Sequence, residues 1–223
     1  FGICDLAGLP KDRYYLYRSR WNTTDTTLHL LPHWTWTGHE GETIPVYCYT
    51  NFNEAELFVN GKSQGRICKD HSQLADRYRL RWNNVVYEPG EVVVVAYDDN
   101  GKSHRATMRT AGNEHQLQLN ADRTTIAADG SDIAFVTVSM TDENGTLCPL
   151  AADNLTFEVK GSAQFKGACN GDATSLQPLT KPAMQLFNGQ LVVALQSTRT
   201  RGNATLIVHC PTLPDAAICI NVK

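Results

Sequence analysis

No run of about 18 apolar residues occurs in this chain, so no segment is long enough to cross a bilayer as a helix. A basic excess is missing too. The formal net charge is −3 and the pI near 6.2, which argues against nucleic acid and against an anionic membrane surface as partners. The seven cysteines, at 4, 48, 68, 148, 169, 210 and 219, form no CxxC pair and no other metal-ligand spacing. Their odd number leaves at least one thiol unpaired. Several lie in apolar runs ("PVYCYT", "LIVHCP", "AAICINV"), where cysteine acts as a small buried hydrophobe. The expectation is inert core thiols, with one incidental disulfide as the alternative and Cys68, beside Lys69, the first to react. GxSxG, Walker and HExxH motifs are absent, and no cysteine nucleophile has a partner. No catalytic residue, metal ligand or cofactor site is therefore assigned. The opening "FGICDLAG" has neither methionine nor the tripartite pattern of a secretory signal, and it reads as the middle of a longer chain.

What is present is β structure. With 223 residues, 42% hydrophobic and 19% charged, the chain has the composition of a globular protein and room for two domains of about 100 residues each or for one large β domain. "LPKDRYYLYRSRW" places Leu9, Tyr14, Tyr17 and Trp21 at helical intervals, with proline at the expected first turn and Arg18 and Arg20 in the last. After it the pattern changes to strands. "EAELFVNGKSQGR" turns at Asn60-Gly61, a strong hairpin signal, and "GEVVVVAYDDNGKSHRATMRT" is a buried strand, a tight turn and a return. "DRYRLRW" alternates at period two. Beyond "AGNEH", seven further strand-like segments at regular spacing fit an immunoglobulin-like sandwich, one without tryptophan or a Cys…Trp…Cys signature. The expected fold is all-β: two consecutive β-sandwich (immunoglobulin-like) domains preceded by one short N-terminal helix. Residues 1–26 would be helix and junction, 27–111 the first sandwich and 115–223 the second.

Candidate binding residues concentrate in "HLLPHWTW", residues 29 to 36. His29 and His33 stand four apart, but Pro32 opposes the helix that zinc would need. Trp34 and Trp36 are two apart, so in a strand both indoles would share a face. Such a pair can pack into a core or interface, or stack a pyranose ring; packing leads. His33 and Trp21 are further candidates for the same interface or sugar-stacking role. A polar loop, "CNGDATSLQP", offers Asn170 and Asp172 as possible ligand contacts. Asp98-Asp99 and Asp142-Glu143 precede Asn-Gly in hairpin tips and support turns, and Glu40 and Glu42 cap or solvate a loop. "DENGT" lacks the spacing of a calcium loop. Sequons begin at Asn22, Asn144, Asn154 and Asn203.

Taken in order, "GICDLAGLPKDRYYLYRSRW", "LHLLPHWTWTGHEGETIPVYCYTNFNEAELFVNGKSQG" and "ADGSDIAFVTVSMTDENG" resemble the C-terminal portion of family 2 glycoside hydrolases of the β-galactosidase type. The resemblance implies that residues 1 to 21 close a catalytic (β/α)8 barrel and that two β domains follow. It places the acid/base and nucleophile glutamates before residue 1, so none is carried over. It also implies a partner in the parent's barrel and an extracytoplasmic location. Glycan binding and homo-oligomerisation are open alternatives, as is a structural surface module of the adhesin kind.

Overall fold

The computed structural model describes residues 2–98 and 100–223. Phe1 and Asp99, one half of the Asp98-Asp99 pair, lie outside the described residues. Chain contacts separate two units, one of residues up to Cys4 with Pro10–Thr110, the other of Asp5–Leu9 with Ala111–Lys223.

The first unit opens with α1 (Asp12–Trp21). It starts later than the periodicity implied, and Leu9 is outside it. The cause is local: Asp5 accepts the Leu9 N–H through Oδ1 at 2.9 Å, and Cys4 bridges Pro10. Proline thus precedes the helix, and Lys11 is its N-cap. Strands β1 (Leu28–Leu31), β2 (Val46–Thr50) and β5 (Leu80–Trp82) form one sheet, in the order β1-β2-β5. The other sheet, β4-β3-β6-β7, uses β3 (Glu54–Val59), β4 (Lys62–Cys68), β6 (Glu91–Tyr97) and β7 (Ser103–Arg109). The β3–β4 turn has left-handed φ at both Asn60 (48°) and Gly61 (80°), as the primed hairpin turn demands. The Asn60 side chain then pins the neighbouring loop, accepting from Glu91 N at 2.8 Å and donating to Pro89 O at 3.1 Å. Any side chain at Gly90 would collide with it. Inward residues of both sheets, with Trp34 and Tyr87 from the connections, close one core.

"DRYRLRW" yields only the three residues of β5. Asp76 is drawn into a turn, its N–H on Gln73 O at 3.1 Å, and its carboxylate takes the Arg81 guanidinium. The local turn and ion pair override the alternation there.

The second unit contains all seven expected strands: β8 (Gln116–Ala121), β10 (Ile133–Thr141), β11 (Asn154–Gly161), β12 (Ala163–Cys169), β14 (Gln190–Ser197), β15 (Gly202–His209) and β16 (Ala216–Val222). Two short ones, β9 (Thr125–Ile126) and β13 (Ala183–Gln185), add to them. The sheets run β12-β14-β10-β8 and β13-β11-β15-β16-β9; pairing is antiparallel except β16 with β9. Alternating Val136, Val138 and Met140 of β10 meet Leu155, Leu206, Val208 and Ile220 from the facing sheet. Asp142 ties down the β10 hairpin. Buried at 2% exposure, it accepts from Gly112 N at 2.8 Å, Thr146 N at 2.8 Å and Asn144 N at 2.9 Å. Burial pushes its pKa up, but these N–H groups outweigh that and hold it below the ordinary value.

All seven cysteines are free thiols, but fewer are buried than expected. Cys48 and Cys148 are buried, and desolvation raises their pKa values to about 12 and about 11. Cys169 and Cys210 are half-buried, and Cys4, Cys68 and Cys219 are exposed. Cys219 lies in an apolar run yet points outward, because Ile220 and Val222 set the inward face of β16.

Candidate functional site

The aromatic cluster resolves into three environments within the first unit. Trp34 is fully buried. Its Nε1 donates to Glu88 O at 3.0 Å, and its ring meets Tyr87 edge-on at 5.1 Å. Tyr87 in turn accepts the Trp36 N–H at 3.2 Å through its hydroxyl. Trp36 is half-buried and faces another way, its Nε1 donating to His33 O at 2.7 Å and its ring stacked on exposed His33 at 4.9 Å. The two indoles do not share a face. Residues 32–37 follow the cis Leu31–Pro32 bond and form no strand, so period-two geometry does not apply. His39 edges onto Trp36 and pairs with Glu42 at 3.0 Å, while Glu40 accepts the Gly38 N–H at 3.1 Å. Packing lowers the pKa of His33 by desolvation, offset in part by Asp12.

The third environment is α1. Its inner side is fixed by Tyr15, stacked on His29 at 3.8 Å, and by Asp12, 2.7 Å from His29 Nε2. Arg18 holds the C-terminal end, donating to Thr26 O and Thr27 Oγ1 at 3.0 Å. His29 is thus committed to the helix, and His33 to Trp36. Among the described residues no three of His, Cys, Asp and Glu converge to hold a metal. The outer side of α1 is different. Tyr17 and Trp21 stack at 4.7 Å, and Trp21 is 74% exposed. With Ile3 and Tyr14 they line an open groove of about 510 Å³, edged by Arg18, Asn22 and Thr24. An aromatic ridge of this kind can pack against apolar protein or stack a sugar ring.

In the second unit, Asn170 and Asp172 shape their own loop. Asn170 is buried, donates through Nδ2 to Gln185 O at 2.9 Å and accepts the Asp172 N–H at 3.1 Å. Asp172 accepts from Thr174 N and Oγ1 at 2.8 and 2.7 Å, which lowers its pKa. These are Asx-turn contacts. Beside the loop lies a cavity of about 290 Å³ that the sequence did not flag, lined by Leu6, Phe135, Cys169, Leu179 and Val192. Another, in the first unit, lies beside β5. Its one sequence signal was the charge density of "KDHSQLADRYR".

Comparison with known proteins adds the family context. Residues 117–219 match the glycoside hydrolase family 2 C-terminal domain 5, and residues 41–104 match a domain of unknown function, DUF4982. The chain is 40% identical over its whole length to beta-galactosidase BoGH2A of Bacteroides ovatus, covering 25% of that protein. Against a putative beta-glucuronidase of Formosa agariphila it is 30% identical over 97% of its length, covering 21% of that protein. A solved beta-glycosidase from Bacteroides vulgatus superposes with a TM-score of 0.91 at 35% identity, over all of this chain and 28% of that one. The chain thus spans about a quarter of the length of the relatives it matches.

Proposed function

The chain belongs to glycoside hydrolase family 2 as a C-terminal region of such a protein, and from that premise we propose that it serves as a non-catalytic accessory part of a β-galactosidase. The observation that carries this is the 40% identity, along the entire chain, to a beta-galactosidase of which it spans a quarter. The parent would cleave terminal β-galactosides with two carboxyl groups supplied by its barrel. Within this reading, Trp21 and Tyr17 are anchors for the rest of the parent. They are apolar, prearranged by stacking, and left uncovered by the unit that carries them.

A second reading is favoured by the same ridge: stacking of a glycan on Trp21. The readings separate experimentally. A chromogenic β-galactoside assay of the isolated chain should give no turnover; turnover that scales with purified chain defeats the accessory role. In the full-length parent, Trp21→Ala should lower the melting temperature while leaving the isolated chain's unchanged. If the parent's melting is unaffected and the isolated chain loses galactoside binding, the glycan reading replaces it.

A further inference from the structure

On the outer face of the sheet β12-β14-β10-β8, residues that should meet water are apolar. Val136, Val138, Val193 and Leu195 turn into the sandwich core, so Phe135, Val192 and Ala194 between them turn outward. Strand register carries the pattern across the sheet. Gly167, Ala194 and Phe135 form one row, and Cys169 and Val192 begin the next. An antiparallel sheet packed on one face ordinarily presents polar side chains on the other. Here the two rows floor the cavity of about 290 Å³ in the second unit.

The walls of this recess are open to solvent. Phe135 is 47% exposed, Leu179 54% and Leu6 68%. They are also held in place. The Leu179 carbonyl accepts the Ala168 N–H at 2.8 Å, and Gly167 lets it approach, since a Cβ there would lie 3.1 Å from the same oxygen. Leu6 belongs to the Asp5–Leu9 segment, and any side chain at Gly171 would collide with the Asp5 carboxylate. Prearranged, uncovered apolar walls of this kind mark an interaction site.

We propose that the recess is a docking site for the part of the parent that precedes this chain, and that it takes an apolar side chain flanked by a carboxylate. The proposal rests on the accessory role and adds to the α1 anchors a second attachment, on the other unit. Position, area and charge favour that occupant. The beta-galactosidase of Bacteroides ovatus carries about three quarters of its length outside the matched region, and this chain corresponds to the C-terminal region of the family. The remainder joins ahead of residue 1, and Leu6 is five residues along. Five residues reach at most about 18 Å, so the preceding chain is held beside the recess at an effective concentration in the millimolar range. A free partner, a second copy included, would need about 1,200–2,000 Å² of total interface for a stable complex. A tethered partner needs no such area, and one apolar side chain in the recess suffices. Lys166 is the only charged residue lining it and has no ion pair among the described residues, which calls for a carboxylate beside the docked side chain.

The readout is Cys169, a free thiol that lines the recess. Its labelling by iodoacetamide, mapped by mass spectrometry, is compared between the 223-residue chain and the full-length parent. Cys169 should label at least about tenfold more slowly in the parent, as a site that opens only transiently does. Leu179→Asp in the parent should return Cys169 to the rate of the chain alone, and Lys166→Glu should speed it several-fold. Both positions are exposed, so the 223-residue chain carrying either change should keep its melting temperature. Equal rates in the chain and the parent overturn the proposal. So does protection that survives either substitution, because the cover then does not use the recess. Protection within the 223-residue chain that grows with its concentration between about 1 and 100 μM assigns the face to a second copy and overturns it as well. The accessory role fails on a different observation, turnover by the isolated chain, so the two failures are distinct.

Discussion

Replacing Trp34 by alanine separates a core tryptophan from a ligand platform, and its effect can be worked out from contacts. The side chain is completely buried, and truncating a buried tryptophan costs about 3–5 kcal/mol. The lost Nε1 bond to Glu88 O adds about 1 kcal/mol, and the edge-on contact with Tyr87 a fraction more. The sum approaches the lower end of the 5–15 kcal/mol that holds a typical domain. With a urea slope of about 2 kcal/mol per molar, a 4 kcal/mol loss moves the midpoint down by about 2 M. The assay can be confined to one unit. All four tryptophans (21, 34, 36 and 82) and all eight tyrosines precede residue 98, so fluorescence excited at 295 nm follows the first unit alone. Trp34→Phe should lose about half as much, because it keeps most of the apolar volume. In the isolated chain Trp21→Ala should stay within about 0.5 kcal/mol of the unsubstituted protein, as exposed positions do. A Trp34→Ala midpoint within about 0.25 M of the unsubstituted chain's would refute the core assignment.

Asp142→Asn should destabilise the second unit by about 1–3 kcal/mol, since a buried amide cannot accept as strongly as the carboxylate from these three backbone N–H groups. The folded pKa of Asp142 is depressed, so its contribution is present above about pH 4 and is lost as pH falls through the lower folded value. An acid-unfolding curve monitored by far-ultraviolet circular dichroism should therefore lose part of its steepness in the variant; an unchanged curve rejects the role. Thiol titration at neutral pH should label Cys4 and Cys219 readily and leave Cys48 and Cys148 untouched until unfolding. Cys68, though exposed, is hydrogen-bonded to Glu54, which raises its pKa, so Glu54→Gln should speed its labelling several-fold. Equal rates in both proteins would show that the carboxylate has no control. Finally, tryptophan fluorescence and calorimetry should disagree in thermal unfolding, with a transition that fluorescence misses; complete coincidence argues for a single cooperative body.

The parts of the fold that were legible in sequence share one property: backbone conformation or strand alternation specifies them directly. Asn60-Gly61 and Asn144-Gly145 specify turns through backbone conformations only a few residues can adopt, and alternation in "IAFVTVSMT" specifies a half-buried strand. Where a side chain captured a nearby backbone or charged group, the reading slipped. β5 lost its first four residues to the Asp76 turn and the Arg81 ion pair, and the helix start moved because Asp5 and Pro10 organise the segment before it.

The site was harder to read, for a reason that the tryptophans make plain. Identical side chains two residues apart reach different surroundings because irregular backbone separates them: Trp34 turns to Tyr87 and Glu88, fifty residues further along, and Trp36 turns back to His33. No periodicity encodes that choice; it is made by what the other strands leave room for. Asn170 illustrates the converse. A polar residue in a glycine-flanked loop looks available, but its amide is used up bracing β13 through Gln185, so the loop's shape is its product. The β5 pocket follows the same logic in reverse, since Ile67, Arg79 and Asn83 become neighbours only when β4 and β5 are in place. Orphaning the Arg79 Nε is a property of that closure, not of any motif. A donor left unpaired by folding is visible only once every other donor has found its partner.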